Sequence, residues 1–286
     1  MNIQIEFSSV CNLRCVECPQ RLMQRKRQFM SDAVFGRVLE YVCKLPDERR
    51  TKGYPPTIIC HKDGEALLHP RFQQYIKELS DAQPDYRFNI YTNGLKLTRG
   101  FIDFLESLPN ETRLLISYHF YNGDGGLNNY TEVNAILREC FVKKHKKLEF
   151  ILTSHVNRFC SLEFLKKWQD DLNTKYEKAA TVPVVAYNTH INPWTDLIHE
   201  ENTVTFDGCP YMDFGHLFIG VTGNVIPCCM DLEEELVQGN IMEDSYNRIF
   251  SRMERFYERL QQRRNFETLC LKCMKGSNFI KGVNNE

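Results

Sequence analysis

Three cysteines near the start of the chain have the spacing of a metal-cluster site. Cys11, Cys15 and Cys18 form a C-x3-C-x2-C pattern directly after an apolar run that predicts a strand. Three thiolates on one short loop can hold an iron–sulfur cluster with one iron left open to a cofactor or substrate. A structural zinc site normally has four ligands, and no fourth Cys or His lies nearby in the sequence. The spacing therefore predicts a cluster with an open iron.

A second set of cysteines lies near the end of the chain. Cys209 and Cys228 flank residues 216–226, whose pattern predicts a hairpin, and Cys270 and Cys273 follow an amphipathic helix. Four thiolates from two elements make a closed tetrahedral site. Such a site suits an iron–sulfur cluster or a zinc ion, and the residues alone leave both interpretations open.

Strand patterns alternate with helix patterns through the first two thirds of the chain. Helix starts are predicted at Ser31 or Asp32, Thr98, Thr131 and Ser161, and six strands at Ile3–Phe7, Thr57–Cys60, Phe88–Tyr91, Leu114–Tyr118, Leu148–Leu152 and Val182–Tyr187. This alternation predicts an α/β fold with a parallel sheet, and six units fall short of the eight in a closed barrel. We predict a partial (βα)6 TIM-like barrel over 1–200 and a small C-terminal cluster-binding domain, a β-hairpin plus a helix, over 201–286.

Composition and charge narrow the function classes. The 286 residues include 36 Lys and Arg against 37 Asp and Glu, so nothing favours binding to nucleic acid or to an anionic membrane. No apolar run approaches the roughly 18 residues of a membrane span, and no signal peptide is visible. The 12 cysteines are clustered, which in a reducing compartment indicates metal rather than disulfides. We expect a cytoplasmic protein.

The first cysteine cluster resembles the motif of the radical S-adenosylmethionine (SAM) superfamily, which lies on the loop after the first strand of a partial barrel. The resemblance implies that the open iron chelates SAM and that reductive cleavage of SAM yields a 5′-deoxyadenosyl radical. That radical would abstract a hydrogen atom from the substrate. The resemblance also implies an electron donor such as flavodoxin or ferredoxin. Glu17 departs from the family, in which an aromatic residue usually precedes the third cysteine.

Further residues resemble the family's SAM contacts. Asp63-Gly64-Glu65-Ala66 is similar to the Gly-Gly-Glu-Pro motif that meets the SAM amino group, although only Gly64 and Glu65 match. Asn93 and Ser117 follow or end later strands, where the family often contacts ribose or methionine. Each has a structural alternative, because Asn93-Gly94 is typical of a turn and a strand serine can be buried and hydrogen-bonded.

The C-terminal cysteines resemble the Twitch domain, a truncated SPASM domain. The matching features are C-x13-G-x4-C, then Gly239-Asn240-Ile241, a helix and C-x2-C. The resemblance implies that Cys209, Cys228, Cys270 and Cys273 hold an auxiliary cluster. Two [4Fe–4S] clusters and SAM are then the expected cofactors. Cys228 has the ligand spacing, which leaves Cys229 outside the ligand set.

Several residues near the predicted strand ends have open roles. Cys229 and Cys60 are candidate hydrogen-atom donors, as a thiol is in radical SAM epimerases, and the alternative for Cys229 is a small buried apolar side chain. Cys140 and Cys43 are predicted core residues. Six residues fall near the strand ends, where substrate groups would be recognised, and the favoured interpretation of each is a hydrogen-bonded structural residue rather than a catalyst: His61, Lys62, Tyr118, His119, His155 and His190. The run Arg21, Arg25, Lys26, Arg27 is typical of a solvated face or of a site for an anionic substrate group.

Three function classes remain in view. The first is an enzyme that dehydrogenates or epimerises a small molecule such as a sugar or aminocyclitol. The second is an enzyme that epimerises or cross-links a ribosomally made peptide, and it is weakened because no N-terminal peptide-binding domain precedes the first predicted strand at Ile3. The third is a non-catalytic iron–sulfur or zinc protein, which does not account for the three-cysteine site together with Gly64-Glu65.

Overall fold

The computed structural model describes residues 2–15, 18–44, 56–120, 129–155, 160–188, 209, 216–262 and 267–273. The strands are β1 Asn2–Ile5, β2 Thr57–Cys60, β3 Arg87–Thr92, β4 Thr112–Ser117, β5 Leu148–His155, β6 Val184–Asn188, β7 Leu217–Ile219, β8 Asn224–Ile226 and β9 Gly239–Asn240. The helices are α1 Asp32–Cys43, α2 Phe72–Ala82, α3 Arg99–Ser107, α4 Tyr130–Cys140, α5 Leu162–Tyr176, α6 Tyr246–Gln261 and α7 Thr268–Cys273. Within these ranges, no helix is long and apolar enough to cross a bilayer.

Strands β1 to β6 form a parallel sheet in chain order, which confirms the predicted partial barrel. A helix follows each of the first five strands, so each crossover returns the chain to the same end of the sheet. The carboxyl ends of the strands therefore share one edge, where barrel enzymes place their sites. The segment 189–208, which contains the predicted domain boundary at residue 200, lies outside the described residues.

The C-terminal hairpin continues the barrel sheet. β7 pairs in parallel with β1, with Ile3 opposite Leu217 and Ile5 opposite Ile219. One further bond joins the Glu6 amide to the Ile219 carbonyl at 2.9 Å. β8 and β9 then add antiparallel strands at that edge. The hairpin that precedes Cys228 is thus held against the strand that leads to the first cysteine loop.

The two faces of the sheet differ in polarity, as the two-residue period of a strand requires. Ile3, Ile5 and Ile58 are fully buried in the main apolar core with residues of α1 and α2. Alternate positions face the inside of the barrel, and among these are Gln4, Glu6, Ile59, His61, Asn89 and Tyr91. The inner face of the first three strands is therefore largely polar.

The predicted helix starts agree with the structure except at one helix. Ser31, Thr98 and Ser161 are N-caps whose side chains accept bonds from backbone amides three residues ahead. The prediction of Thr131 was wrong, because α4 begins at Tyr130. The residue at its N-cap is Asn129, and that side chain is bonded elsewhere.

Of the two cysteines predicted to be core residues, one is buried in the structure and the other is exposed. Cys140 is fully buried on α4, as predicted. The prediction for Cys43 was wrong: it is exposed, since it lies in the last turn of α1, beyond the stretch that packs on the sheet.

Candidate functional site

The loop after β1 brings its three cysteines together. Cys11 and Cys18 pack around Cys15 in a small apolar cluster with Leu13 and Leu95. The Cys18 amide donates to the Cys15 carbonyl at 3.1 Å, and the Leu13 amide points at the Cys11 sulfur at 3.4 Å. Burial raises the pKa of Cys11. Three converging thiols with an amide directed at sulfur are a suitable donor set for the expected cluster. Glu17 lies outside the described residues.

His119 lies against the middle cysteine, and sequence reasoning did not place it there. Its Nδ1 and Nε2 atoms lie 3.7 and 3.6 Å from the Cys15 sulfur, although the two residues are 104 positions apart. Asn129 fixes this part of the chain, since its Oδ1 accepts from the His119 amide at 2.7 Å. A ring N–H at this position can donate to a thiolate. No motif indicates this contact, because only the pairing of the strands creates it.

Glu65 ties the turn after β2 to the cysteine loop and to β3. Its amide donates to the Val10 carbonyl at 2.9 Å. Its carboxylate accepts from the Thr92 hydroxyl at 2.9 Å and from the Asn93 amide at 2.8 Å. Burial raises the pKa of Glu65, and these donors oppose that rise. The carboxylate therefore organises the edge where SAM is expected.

Asn93 and Ser117 lie at the same edge, as the sequence predicts. Asn93 donates from Nδ2 to Asn12 Oδ1 at 2.8 Å, and its own Oδ1 accepts from the Leu95 amide at 3.0 Å. Asn129 donates to the Ser117 carbonyl at 2.8 Å and to the Asn93 carbonyl. The ends of β3 and β4 are thus joined to the cysteine loop. Direct contacts of Asn93 and Ser117 with SAM stay predictions.

Gly64 is required by a close approach of two chain segments. A Cβ atom at this position would lie 2.2 Å from the Ser8 carbonyl oxygen and 2.8 Å from the Ser9 carbonyl carbon. Those atoms belong to the backbone that leads into the cysteine loop, so they cannot rotate away. Only glycine lets the turn after β2 pack here.

Asp63, which departs from the family motif, belongs to a buried ion cluster centred on Arg25. Arg25 Nη2 lies 2.6 Å from Glu6 Oε1 and 2.7 Å from Asp63 Oδ2, and Nη1 lies 3.5 Å from Glu234 Oε1. Lys62 also pairs with Asp63. Burial raises the pKa of Asp63 to about 6 against the pull of the two cations. The family motif has glycine at this position, and the Asp63 carboxylate instead forms ion pairs with Arg25 and Lys62 that a glycine could not form.

Arg25 also fastens the segment after Cys228 to the cysteine loop. Its Nε donates to the Leu232 carbonyl at 2.7 Å, and its amide donates to Glu233 Oε2 at 2.8 Å. Lys62 Nζ adds a bond to the Asp231 carbonyl at 3.1 Å. Neither sequence interpretation of the basic run holds for Arg25. It is mostly buried, and its charge is committed to carboxylates.

The C-terminal cysteines line one apolar cavity. Its walls are Cys209, Cys228, Cys270 and Cys273 with Pro227, Met230, Leu236, Phe256, Leu260 and Leu269. Burial, reinforced by the charge of Cys209, raises the pKa of Cys270 to about 12 and that of Cys273 to about 11. A positively charged group bound between these thiols would relieve both effects.

The donor set of this cavity fits a cluster. Four thiols with no competing carboxylate in the wall match Cys₄ ligation of iron–sulfur clusters. Within the described ranges, no three His, Cys, Asp or Glu side chains are grouped so as to hold a single metal ion.

The two candidate hydrogen donors lie in different surroundings. The Cys229 thiol shares a hydrogen bond with Cys228. The pKa of Tyr91, on the inner face, is raised mainly by the burial of Tyr91 and to a smaller extent by Cys229. Cys60 is fully buried in the main core beside Ile58, and burial raises its thiol pKa strongly. Cys60 thus packs in the main core, and the hydrogen-donor role of Cys229 stays a prediction.

Gly64→Ala is expected to disrupt the first cysteine site, because the new methyl group displaces the backbone at Ser8. The expected result is loss of iron from that site and of SAM binding, measured by iron content and by calorimetric titration with SAM. Gly36→Ala in α1 is the control, since nothing lies within 4 Å of its Cβ position. It should bind iron normally and gain up to about 1 kcal/mol of stability. Equal iron content in both variants would contradict this account.

Arg25→Met is expected to lower the free energy of unfolding by about 3–5 kcal/mol, because three buried carboxylates lose their shared cation. Denaturant unfolding under anaerobic conditions measures it. Lys26→Met, at an exposed neighbouring position, should stay within about 0.5 kcal/mol of the parent protein. Similar losses in the two variants would show that the ion cluster has no special role.

Comparison with known proteins agrees with this architecture. Residues 209–274 match the SPASM family, an iron–sulfur cluster-binding domain. The matched segment begins at the first C-terminal cysteine, Cys209, and ends one residue after the last, Cys273. The chain is also 25% identical over 284 residues to an S-adenosyl-L-methionine-dependent 2-deoxy-scyllo-inosamine dehydrogenase of Niallia circulans. That alignment covers 95% of this chain and 91% of the relative.

Solved structures share the fold. BtrN in complex with AdoMet and 2-DOIA has a TM-score of 0.63 at 18% identity, with 100% of this chain and 95% of that chain covered. The structure of anSMEcpe with bound AdoMet has a TM-score of 0.58 at 16% identity, with 96% of this chain and 84% of that chain covered. Streptococcus suis SuiB bound to the precursor peptide SuiA has a TM-score of 0.52 at 15% identity, with 98% of this chain and 70% of that chain covered. Residues 209–274 thus match an iron–sulfur cluster-binding domain, and over nearly its whole length the chain is similar to a SAM-dependent dehydrogenase and shares the fold of BtrN and anSMEcpe.

Proposed function

We propose that this protein is a radical SAM dehydrogenase that oxidises a small, hydroxyl-rich substrate of the aminocyclitol type. The observation that carries the proposal is the similarity to the 2-deoxy-scyllo-inosamine dehydrogenase, which extends over 95% of the chain. The similarity therefore includes the inner face of the barrel as well as the cluster-binding segment. The polar inner face, with Gln4, His61 and Asn89, suits a substrate with many hydroxyl groups.

The residues at the carboxyl edge of the sheet have separate roles in binding the first cluster and SAM. Cys11, Cys15 and Cys18 hold the SAM-binding [4Fe–4S] cluster. The backbone around Gly64 and Glu65 receives the SAM amino group, and Asn93 and Ser117 orient the rest of SAM. When bound, the cluster and SAM supply a 5′-deoxyadenosyl radical. The protein positions that radical against the substrate and excludes water.

Cys209, Cys228, Cys270 and Cys273 hold a second [4Fe–4S] cluster, which gives the protein two. The support is the four-thiol cavity together with the match to an iron–sulfur domain over these residues. A dehydrogenation removes two electrons in one-electron steps, so an acceptor inside the protein is useful. The ion cluster around Arg25 joins the segment after Cys228, which belongs to the second site, to the segment that follows the first cysteine loop.

An acidic one-electron carrier such as flavodoxin or ferredoxin is the proposed electron donor. The support is the charge of the surface around the first cysteine loop, where Arg14, Arg21, Lys26 and Arg27 are exposed. Opposite charge on a carrier would orient it towards this loop.

The alternative of a peptide substrate has weaker support. SuiB and anSMEcpe have structures with bound peptides, and their likeness at 14–16% identity shows the fold alone. Epimerisation of a small molecule is the better second candidate. The observation in its favour is Cys229, a thiol outside the predicted ligand set whose charge reaches the inner face at Tyr91.

Anaerobic reconstitution tests the cluster assignment. We expect about eight irons per chain, falling to about four in the triple variant Cys11→Ala, Cys15→Ala, Cys18→Ala. Dithionite with SAM should yield 5′-deoxyadenosine in the parent protein and none in the triple variant. The matched control is Cys209→Ala with Cys270→Ala, which should also hold about four irons yet still cleave SAM.

Two results would change the proposal in different ways. About four irons plus one zinc would keep radical chemistry at the first site and make the second site structural. Full clusters without SAM cleavage would end the proposal.

Cys229→Ala separates dehydrogenation from epimerisation. If the protein is a dehydrogenase, the variant should form oxidised product at close to the parent rate, because no thiol hydrogen is needed. Mass spectrometry of the product made in deuterated water provides the measurement. Loss of product with continued release of 5′-deoxyadenosine would instead establish Cys229 as the hydrogen donor of an epimerase. Cys60→Ala, in the core, is the control thiol.

A further inference from the structure

His61 lies on the inner face of the barrel in a fixed orientation. It follows β2 directly, one residue beyond the pair formed by Cys60 and Ile90. Its ring stacks on that of Tyr91 with centroids 5.0 Å apart and planes 25° apart. Its carbonyl accepts from Gln4 Nε2 at 2.6 Å. Within the described part of the chain, neither ring nitrogen has a hydrogen-bond partner, so both are available to a ligand.

This stacked pair lies between the two thiol sites. Tyr91 precedes Asn93 by two residues on the same face, and its register partner Leu115 precedes Ser117 by two. The pair is therefore one layer deeper in the barrel than the residues expected to orient SAM. Cys229, next to the predicted ligand Cys228, is close enough to Tyr91 to add to the rise in the pKa of Tyr91 that burial causes. A substrate that spans these sites would lie beside His61.

Burial keeps the His61 ring neutral. It lowers the pKa of His61 to about 4, against the charge of Glu6 on β1, which raises the pKa, and together with the charge of Lys62, which lowers it. Tyr91 on β3 faces the ring, and burial raises the pKa of its hydroxyl, so it carries no charge near pH 7. A neutral imidazole has a lone pair that can accept a proton, whereas a neutral tyrosine hydroxyl is not a base. With a pKa of about 4, His61 is a weak base that holds the proton only briefly before releasing it to water.

The nearby carboxylates are already engaged. Glu6 and Asp63 are bound to Arg25. Glu65 accepts from two backbone amides and from the Thr92 hydroxyl. A proton taken up by any of them would break the contacts that hold the cysteine loop.

We propose that His61 is the general base that takes the hydroxyl proton of the substrate as its carbinol carbon becomes a ketone. The inference rests on the proposed function. The hydrogen atom on carbon leaves to the deoxyadenosyl radical, and the hydroxyl proton goes to a ring nitrogen of His61. One electron leaves to an oxidised iron–sulfur acceptor, and the C–O bond becomes C=O. The substrate class is thus a secondary alcohol whose hydroxyl can reach His61.

The test uses the reconstituted holoenzyme with SAM, dithionite and 2-deoxy-scyllo-inosamine as the probe. In His61→Ala, iron content and release of 5′-deoxyadenosine should remain within about twofold of the parent, whereas ketone formed per deoxyadenosine should fall about 10²-fold or more. A substrate radical should accumulate and be visible by electron paramagnetic resonance. Added imidazole should restore the ketone, which a purely structural loss would not allow.

His145→Gln is the control for the loss of a buried histidine. His145 lies in the loop before β5, at the opposite end of the sheet, where its Nε2 contacts the Cys140 carbonyl. The control should give the parent ratio of ketone to deoxyadenosine. A parental ratio in His61→Ala would overturn the proposal, and so would a loss of ketone with neither radical accumulation nor imidazole rescue. Failure of the proposed function shows separately, as a parent enzyme that cleaves SAM but never oxidises the probe, and the role of His61 falls with it.

Discussion

The guanidinium of Arg25 is the constraint on which the rest of the site depends. Three buried carboxylates, Glu6, Asp63 and Glu234, share two cations, Arg25 and Lys62. An excess of negative charge in a buried place is costly unless every partner is held in position. This ion cluster therefore forms only when the cysteine loop, the ends of β1 and β2 and the loop after β8 come together. If any one of these segments moves, the remaining charges stay buried without their partners.

The pairing of β7 with β1 makes this assembly possible. The strand that leads to Cys11 is bonded on one side to β2, which carries the Gly64-Glu65 turn, and on the other to the hairpin that leads to Cys228. The two thiol sites are thus joined through three adjacent strands rather than through a flexible linker. Strand pairing therefore fixes the position of the hairpin that leads to Cys228 relative to the first cysteine loop.

Between the two sites, the sheet presents an inner face lined largely by polar groups. His61 is stacked on Tyr91, is kept neutral by burial and has no hydrogen-bond partner for its ring nitrogens among the described residues, whereas the carboxylates around it are already bound. The carboxylates therefore hold the loops in place, and the imidazole is a group on this face whose polar atoms the structural contacts do not use within the described residues.

The sequence by itself determined the alternation of strands and helices, the partial barrel, the caps at Ser31, Thr98 and Ser161, and both cysteine sets. These features depend on local periodicity, on capping chemistry and on the spacing of thiols along the chain. Only the tertiary structure decided that His119 contacts Cys15, that Asp63 pairs with Arg25 and that Cys60 points into the core. These outcomes depend on strand register and on charges distant in sequence, and a one-residue change in the register of β2 would send the Cys60 side chain to the other face.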